Sequence, residues 1–192
     1  TTDFLRNTEE FNELFLPYAA AYLGAVTVPL NTRDQIPGIR HALQNSGAKV
    51  LVVESEFHNL VPPTEDTPDL IARFAIGATE GFNNYEELRK AARPVQLAHP
   101  KEDAVATILY TSGTTGVPKI IPRFHNEYVY NMRAVAQFVG YSPDDRLFVP
   151  MPMMHNLNMG ACFGPMLFTG GMVAVAADLT PAAMVHVFKV FK

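Results

Sequence analysis

The tightest constraint on this chain lies between Ala104 and Pro122. Ala104 to Tyr110 (Ala-Val-Ala-Thr-Ile-Leu-Tyr) is a short, largely apolar run, the pattern of a buried strand. Thr-Ser-Gly-Thr-Thr-Gly-Val-Pro-Lys follows over residues 111–119. Val117 to Pro122 then carries two prolines and two β-branched isoleucines. The residue before Pro122 is pushed toward extended geometry, so a regular helix cannot begin at Lys119. A strand, a loop and a second extended segment are therefore expected in that order.

The loop has unusual chemistry for one turn. Gly113 and Gly116 let backbone N–H groups approach a ligand with no Cβ in the way. Thr111, Ser112, Thr114 and Thr115 offer hydroxyl donors, and bonds from such donors to anionic oxygens are the strong, charge-assisted kind. Lys119 adds a mobile point charge. Together these groups suit a wrapped phosphate chain. A Walker A loop differs, because it needs Gly-Lys-Ser/Thr and feeds straight into a helix, whereas Lys119 follows proline and precedes isoleucine. The competing reading is a flexible Ser/Thr/Gly turn with no ligand.

The rest of the chain alternates helical and extended patterns. Helices are expected at Glu9–Leu23, with Pro17 as a kink or restart, at Ile36–Gln44 with a stop near Gly47, at Tyr85–Ala92, and from His125 or Asn126 to Val139. Strands are expected at Ala25–Leu30, Lys49–Val53, Arg73–Gly77, Arg146–Pro150 and Met172–Ala177. The alternation predicts an α/β fold with a mainly parallel sheet flanked by helices. Residues 61–100 have the poorest pattern and are expected to be irregular. Met184, Val187, Phe188 and Phe191 form one helical stripe at the end of the chain.

Composition excludes several classes. A chain of 192 residues can bury one real core. A net charge of −4 gives no reason to expect nucleic acid or an anionic membrane. Its single cysteine, Cys162, rules out an internal disulfide and suits a reducing compartment, so a cytoplasmic location is expected. No apolar run approaches the ~20 residues of a membrane span. The six histidines show no metal-ligand spacing. The chain opens without methionine and closes inside a helical pattern, so both ends are expected to be cut.

A second chemical candidate is Pro152-Met153-Met154-His155-Asn156-Leu157-Asn158-Met159-Gly160. It follows the strand at Arg146–Pro150, where ligand-contacting loops of open α/β sheets sit. Methionines around a His-Asn pair suit an adaptable apolar pocket with a few polar contacts. The alternative is that His155 and Asn156 only cap the following helix, a role Asn fills well. Cys162 reads as a small buried hydrophobe, and Asp144-Asp145 as a solvated turn.

Tyr110 to Lys119 resembles the phosphate-loop signature of the adenylate-forming (acyl-activating, AMP-binding) superfamily. Tyr22 to Asn31, Ser46 to Val53 and Pro100 to Ala104 resemble that family's flanking stretches, in its order. The resemblance implies residues 1–192 are a partial N-terminal domain, truncated at both ends. Residues 1–100 would be a first α/β portion, and 101–192 the phosphate-loop and acid-pocket portion. It implies activation of a carboxylic acid with ATP and Mg²⁺ to an acyl-adenylate, then transfer to a thiol of coenzyme A or a carrier protein. Thr111, Ser112, Gly113, Thr114, Thr115, Gly116 and Lys119 would bind the ATP phosphates, and His155 and Asn156 would border the acid pocket. The His-Asn pair, with Ile121 to Tyr128, resembles the aryl-acid branch that takes dihydroxybenzoate or salicylate, where the Asn meets the ring's ortho substituent. Gly160-Ala161-Cys162-Phe163-Gly164 departs from that branch, which places Ser-Ser-Pro-Gly there. The family's further catalytic motifs lie downstream, so the chain alone is expected to be inactive and prone to self-association. Two other readings stand: a fatty or alicyclic acyl-CoA ligase, and a non-catalytic folded fragment.

Overall fold

The computed structural model describes residues 10–111, 118–150, 155–175 and 180–190, with side chains from Leu16 onward. Contacts divide the chain into two compact units: Thr1–Ala25, Pro100–Ala106 and Arg123–Lys192 form one, and Val26–His99 and Thr107–Pro122 form the other.

In the second unit, α2 (Ile36–Ser46) begins with a proline in its first turn and ends at Gly47, whose φ of 63° is the left-handed stop that glycine supplies. Its Ile39 and Leu43, one turn apart, pack with Leu51 and Leu70 into a core that Leu30, Leu60 and Val61 border. The strand β1 (Val50–Glu54) pairs in parallel with β2 (Ala72–Ile76), and β2 with the two-residue β3 (Asn83–Asn84). Asn84 then caps the next helix, α3 (Tyr85–Ala91), its side-chain oxygen accepting from the Glu86 and Glu87 amides at 2.8 and 3.4 Å. Within residues 61–100 the strand expected at Arg73–Gly77 and the helix expected at Tyr85–Ala92 are β2 and α3, and the short β3 and a 3₁₀ turn at Thr64–Asp66 add to an otherwise irregular stretch. The prolines there space 3₁₀ turns that return the chain to β2, and period-2 alternation is hard to see in strands this short.

Two expectations change. Ala25–Leu30 is not a full strand: Thr27 alone bridges Thr107 in parallel. Pro29 has no N–H to continue a ladder, and the Thr27 and Thr107 hydroxyls meet at 3.0 Å instead. Pro17 does not restart a helix, since α1 (Glu10–Tyr22) runs through it.

The strands β4 (Val105–Tyr110) and β5 (Ile120–Phe124) pair with each other, so the expected strand and extended segment are present; residues 112–117 between them lie outside the described residues. In the first unit, α4 (His125–Val139) follows β5 directly and stops at Gly140. The parallel pair β6 (Arg146–Val149) and β7 (Met172–Val175) is joined through a wide π turn at Asn158–Phe163 and α5 (Gly164–Thr169). Phe163 packs against Tyr18, Val173 and Val175. Val187 of α6 (Pro181–Val190) packs with Ala174 and Phe148. Met184, Val187 and Phe188 lie on α6, where Val187 is buried and Phe188 is 62% exposed; Phe191 lies outside the described residues. The parallel strands and flanking helices make this an α/β fold.

Candidate functional site

The glycine- and hydroxyl-rich loop is mounted at both ends. The Tyr110 hydroxyl, at the end of β4, lies 3.2 Å from both the Ala42 carbonyl and Asn45 Oδ1 on α2. The His41 ring meets the Tyr110 ring edge-on at 6.1 Å. One residue on, the Thr111 amide donates to the Lys119 carbonyl at 3.1 Å. The Lys119 amide donates to Thr111 Oγ1 at 3.0 Å. This reciprocal pair closes the mouth of the loop. The Thr111 hydroxyl accepts there, so its own hydrogen is left to donate elsewhere. The Lys119 side chain is exposed. Ser112, Gly113, Thr114, Thr115 and Gly116 lie outside the described residues.

The other candidate pair sits in the first unit, where four residues converge. The α4 helix opens with His125 and Asn126 donating their amides to the Ala104 and Glu102 carbonyls at 3.1 and 2.9 Å. Glu127 Oε2 accepts from the Phe124 amide at 3.1 Å and from Arg123 Nε at 3.2 Å. The Phe124 bond, with Arg123 assisting against partial desolvation, holds that carboxyl below the usual glutamate range. The Arg123 guanidinium lies over the Tyr128 ring, 5.0 Å from its centroid. The Tyr128 hydroxyl donates to Asn156 Oδ1 at 3.0 Å, across 28 residues of sequence.

His155 and Asn156 take different parts. His155 caps: its Nδ1 accepts the Leu157 amide at 3.2 Å, and its carbonyl accepts from the Asn158 and Met159 amides. Asn156 does not cap, because its side-chain oxygen is turned to Tyr128. The π turn that follows buries Asn158, Gly160 and Phe163. Such wide turns occur disproportionately at functional sites. Two glycines allow it to approach α4. A Cβ on Gly164 would meet the Met132 side chain of α4, and one on Gly160 would lie 2.8 Å from Asn131 Nδ2. Asn131 itself donates to the Gly160 carbonyl at 3.0 Å. Pro152, Met153 and Met154 lie outside the described residues.

Tyr18 of α1 completes this region. Its ring tilts against Phe163 at 5.9 Å. The hydroxyl is buried with no hydrogen-bond partner among the described residues. Burial, with the nearby Tyr128 adding to it, pushes its pKa up to about 12. Burial also pushes the Cys162 thiol up, as for an inert small hydrophobe. Asp145 Oδ2 accepts from the Ser142 amide and hydroxyl, so that carboxylate serves a turn.

The structure therefore brings Thr111 and Lys119 together in one unit, and Asn156 together with Tyr128 and Arg123 in the other. Sequence reasoning held Arg123 and Tyr128 only within the stretch Ile121 to Tyr128 that carries the resemblance, and gave neither them nor Tyr18 a part in a site. The available signal was an aromatic in the first turn of a helix that follows the loop's second strand. No three His, Cys, Asp or Glu side chains gather as a metal set among the described residues. No described helix is long and apolar enough to cross a membrane.

A family model described as AMP-binding enzyme matches residues 4–192. The long-chain-fatty-acid–CoA ligase FadD13 of Mycobacterium tuberculosis (strain H37Rv) is 35% identical over 152 residues, covering 78% of this chain and 29% of that ligase. The feruloyl-CoA synthase of Amycolatopsis sp is 31% identical over 167 residues, covering 87% of this chain and 32% of the synthase. The apo structure of Mycobacterium smegmatis MbtA matches at a TM-score of 0.85 and 28% identity, over 96% of this chain and 35% of MbtA. This chain spans about a third of the length of these relatives.

Proposed function

This chain belongs to the AMP-binding enzyme family, and from that premise we propose that it is part of a ligase that condenses a carboxylic acid with ATP. The acid's carboxylate attacks the α-phosphorus, pyrophosphate leaves, and an acyl- or aryl-adenylate is formed. A thiol of coenzyme A or of a carrier phosphopantetheine then displaces AMP. The activity is that of the whole protein, in the cytoplasm.

The observation that carries this reading is the closed loop mouth. A string of glycines and hydroxyls is held at its base by the Thr111–Lys119 pair, with a lysine exposed at one end. Glycine amides and Ser/Thr hydroxyls are donors that phosphate oxygens take, and Lys119 adds a cation. Thr111, Ser112, Gly113, Thr114, Thr115, Gly116 and Lys119 take the β- and γ-phosphates of ATP. Magnesium enters with the substrate as MgATP. His155 and Asn156 border the acid pocket.

An aryl acid is the favoured substrate class. The support is Asn156, a polar side chain fixed by an aromatic hydroxyl, and the identity to a feruloyl-CoA synthase. A fatty acid is the second reading, and the 35% identity to FadD13 favours it.

ATP–pyrophosphate exchange by the whole protein tests the loop. Thr114→Val with Thr115→Val removes two donors, each contributing about 1.5–3 kcal/mol against a charged partner. Exchange is expected to fall by about 10²-fold or more. Unchanged exchange would remove the loop from the mechanism. A panel of aryl and alkyl acids, read by hydroxylamine trapping of the adenylate, decides the substrate class.

A further inference from the structure

Asn156 and His155 are the two side chains read above as bordering the acid pocket, and each has one polar atom already occupied. Asn156 Oδ1 receives the Tyr128 hydroxyl at 3.0 Å. Its Nδ2 has no hydrogen-bond partner among the described residues. An amide whose oxygen side is engaged presents N–H on its other side, and the network, not the side chain itself, sets which way round it sits. His155 Nδ1 receives the Leu157 amide at 3.2 Å, so in the neutral ring the proton is on Nε2. His155 is exposed. Both residues are therefore left with hydrogen-bond donors to offer.

We infer that Tyr128 is a positioning residue. Through its bond to Asn156, and with the Leu157 amide acting on His155, it leaves a donor-only edge that accepts an acid bearing a hydrogen-bond acceptor beside its carboxylate. The inference rests on the reading of His155 and Asn156 as the acid pocket. Tyr128 is suited to the task because its ring is held independently of the amide. The Arg123 guanidinium covers it at 5.0 Å, and Glu127 pins that guanidinium at 3.2 Å. The hydroxyl is aimed by the ring, and the amide by the hydroxyl.

The chemistry separates two near-isosteric acids. In 2-hydroxybenzoate the phenolic O–H donates to the acid's own carboxylate, so the oxygen turns its lone pairs outward. In 2-aminobenzoate one N–H is engaged internally, the other points outward, and the nitrogen lone pair is drawn into the ring. The first meets a donor edge with an acceptor. The second sets N–H against N–H and leaves donors unpaired, the situation that sites discriminate against most strongly.

The test titrates both acids into the whole protein and follows the Asn156 side-chain amide by ¹⁵N NMR. The wild type should bind 2-hydroxybenzoate about tenfold more tightly than 2-aminobenzoate. Tyr128→Phe keeps the ring beneath Arg123 and removes only the hydroxyl, so the ratio should collapse toward unity. Asn156→Asp exchanges the donor for an acceptor and should turn the preference toward 2-aminobenzoate. In the absence of any acid, Tyr128→Phe should shift the Asn156 amide signals. Unmoved amide signals in Tyr128→Phe, or an unchanged ratio, would overturn the positioning role and leave the acid-pocket reading standing. If neither acid perturbs the Asn156 amide of the wild type, the acid-pocket reading falls and this inference falls with it. A melting temperature lowered by Tyr128→Phe with the ratio intact would mark the hydroxyl as a structural tie only.

Discussion

The two candidate regions are built on opposite plans. The loop region is contiguous: Tyr110 to Lys119 are neighbours in sequence, and the local pair of bonds between Thr111 and Lys119 closes the mouth. The helical region is assembled from four separate segments. Tyr18 lies on α1, Tyr128 on α4, Asn156 before the π turn and Phe163 within it. A contiguous site depends on local hydrogen bonds at the surface, where water can replace what a mutation removes. An assembled site depends on packing, where nothing replaces it. Substitutions should therefore be expensive in stability in the helical region and inexpensive in the loop.

The largest contrast comes from Phe163→Ala. Phe163 is 7% exposed and packs on Tyr18, Val173 and Val175. Its loss should lower unfolding stability by about 3–5 kcal/mol, from lost transfer energy and the cavity left behind. Guanidinium unfolding of the chain, followed by circular dichroism, measures it. A loss under about 1 kcal/mol would mean that this region is not held by packing.

Tyr18 is next and acts through pH. Its folded pKa of about 12 lies above the ordinary value of 10.0. The unfolded chain therefore releases this proton first. The associated stability is complete below pH 10 and is lost as pH rises from 10 toward 12. The loss should reach about 1–2 kcal/mol, discounted for the part of the ring that meets solvent. Tyr18→Phe should abolish that alkaline slope. At neutral pH it should be neutral or stabilising by up to about 1 kcal/mol, because the hydroxyl it removes has no partner among the described residues. A Tyr18 phenol that titrates near 10 by ultraviolet difference spectroscopy would refute the burial.

The same division explains what the sequence made legible. The loop could be read because its chemistry and its order coincide: glycines, hydroxyls, proline and lysine sit within ten positions. The extended segment after it followed from Pro122 alone, and β5 is there. The end of α2 came from the glycine stop at Gly47, and α4 ends at Val139 as expected, with Gly140 in the left-handed position after it. The bond from Tyr128 to Asn156 was invisible, because 28 residues separate two ordinary residue types with no periodic signal between them. The division of labour between His155 and Asn156 was equally hidden. Either residue can cap a helix, and only the position of Tyr128 turns the Asn156 oxygen away. The Thr27 bridge in place of a strand was misread because Val-Thr-Val carries β propensity, while the missing N–H of Pro29 decides the ladder.

Thr111→Val probes the loop side at a smaller scale. The substitution removes the acceptor of the Lys119 amide but keeps the Thr111 amide's bond to the Lys119 carbonyl. Water can take the place of the lost acceptor, so stability should fall by about 1 kcal/mol or less. The distinguishing measurement is hydrogen exchange: the Lys119 amide should exchange faster while the Phe163 neighbourhood stays protected. A loss as large as that of Phe163→Ala would erase the contrast between the two plans, since the clamp would then belong to a packed core.

The smallest effect belongs to Glu127, which joins local and assembled features. Its carboxylate accepts the Phe124 amide as a local helix cap and pairs with the Arg123 that covers Tyr128. Its folded pKa is depressed, first by the Phe124 bond and then by Arg123. Any stability tied to that shift is therefore present above the unfolded carboxylate pKa and lost as pH falls through the lower folded value. The carboxylate is open to solvent, and screening keeps the change small. Glu127→Gln preserves an oxygen for the Phe124 amide and deletes only the charge. Acid unfolding of the wild type should show a shallow component just below the ordinary glutamate range, and the variant should lack it. The Asn156 amide signals decide the larger question. If they stay fixed in Glu127→Gln, packing alone holds Tyr128 and the helical region is assembled as described. If they move as far as in Tyr128→Phe, a solvent-exposed charge is controlling a packed site, and the contrast between the two regions is wrong at its rim.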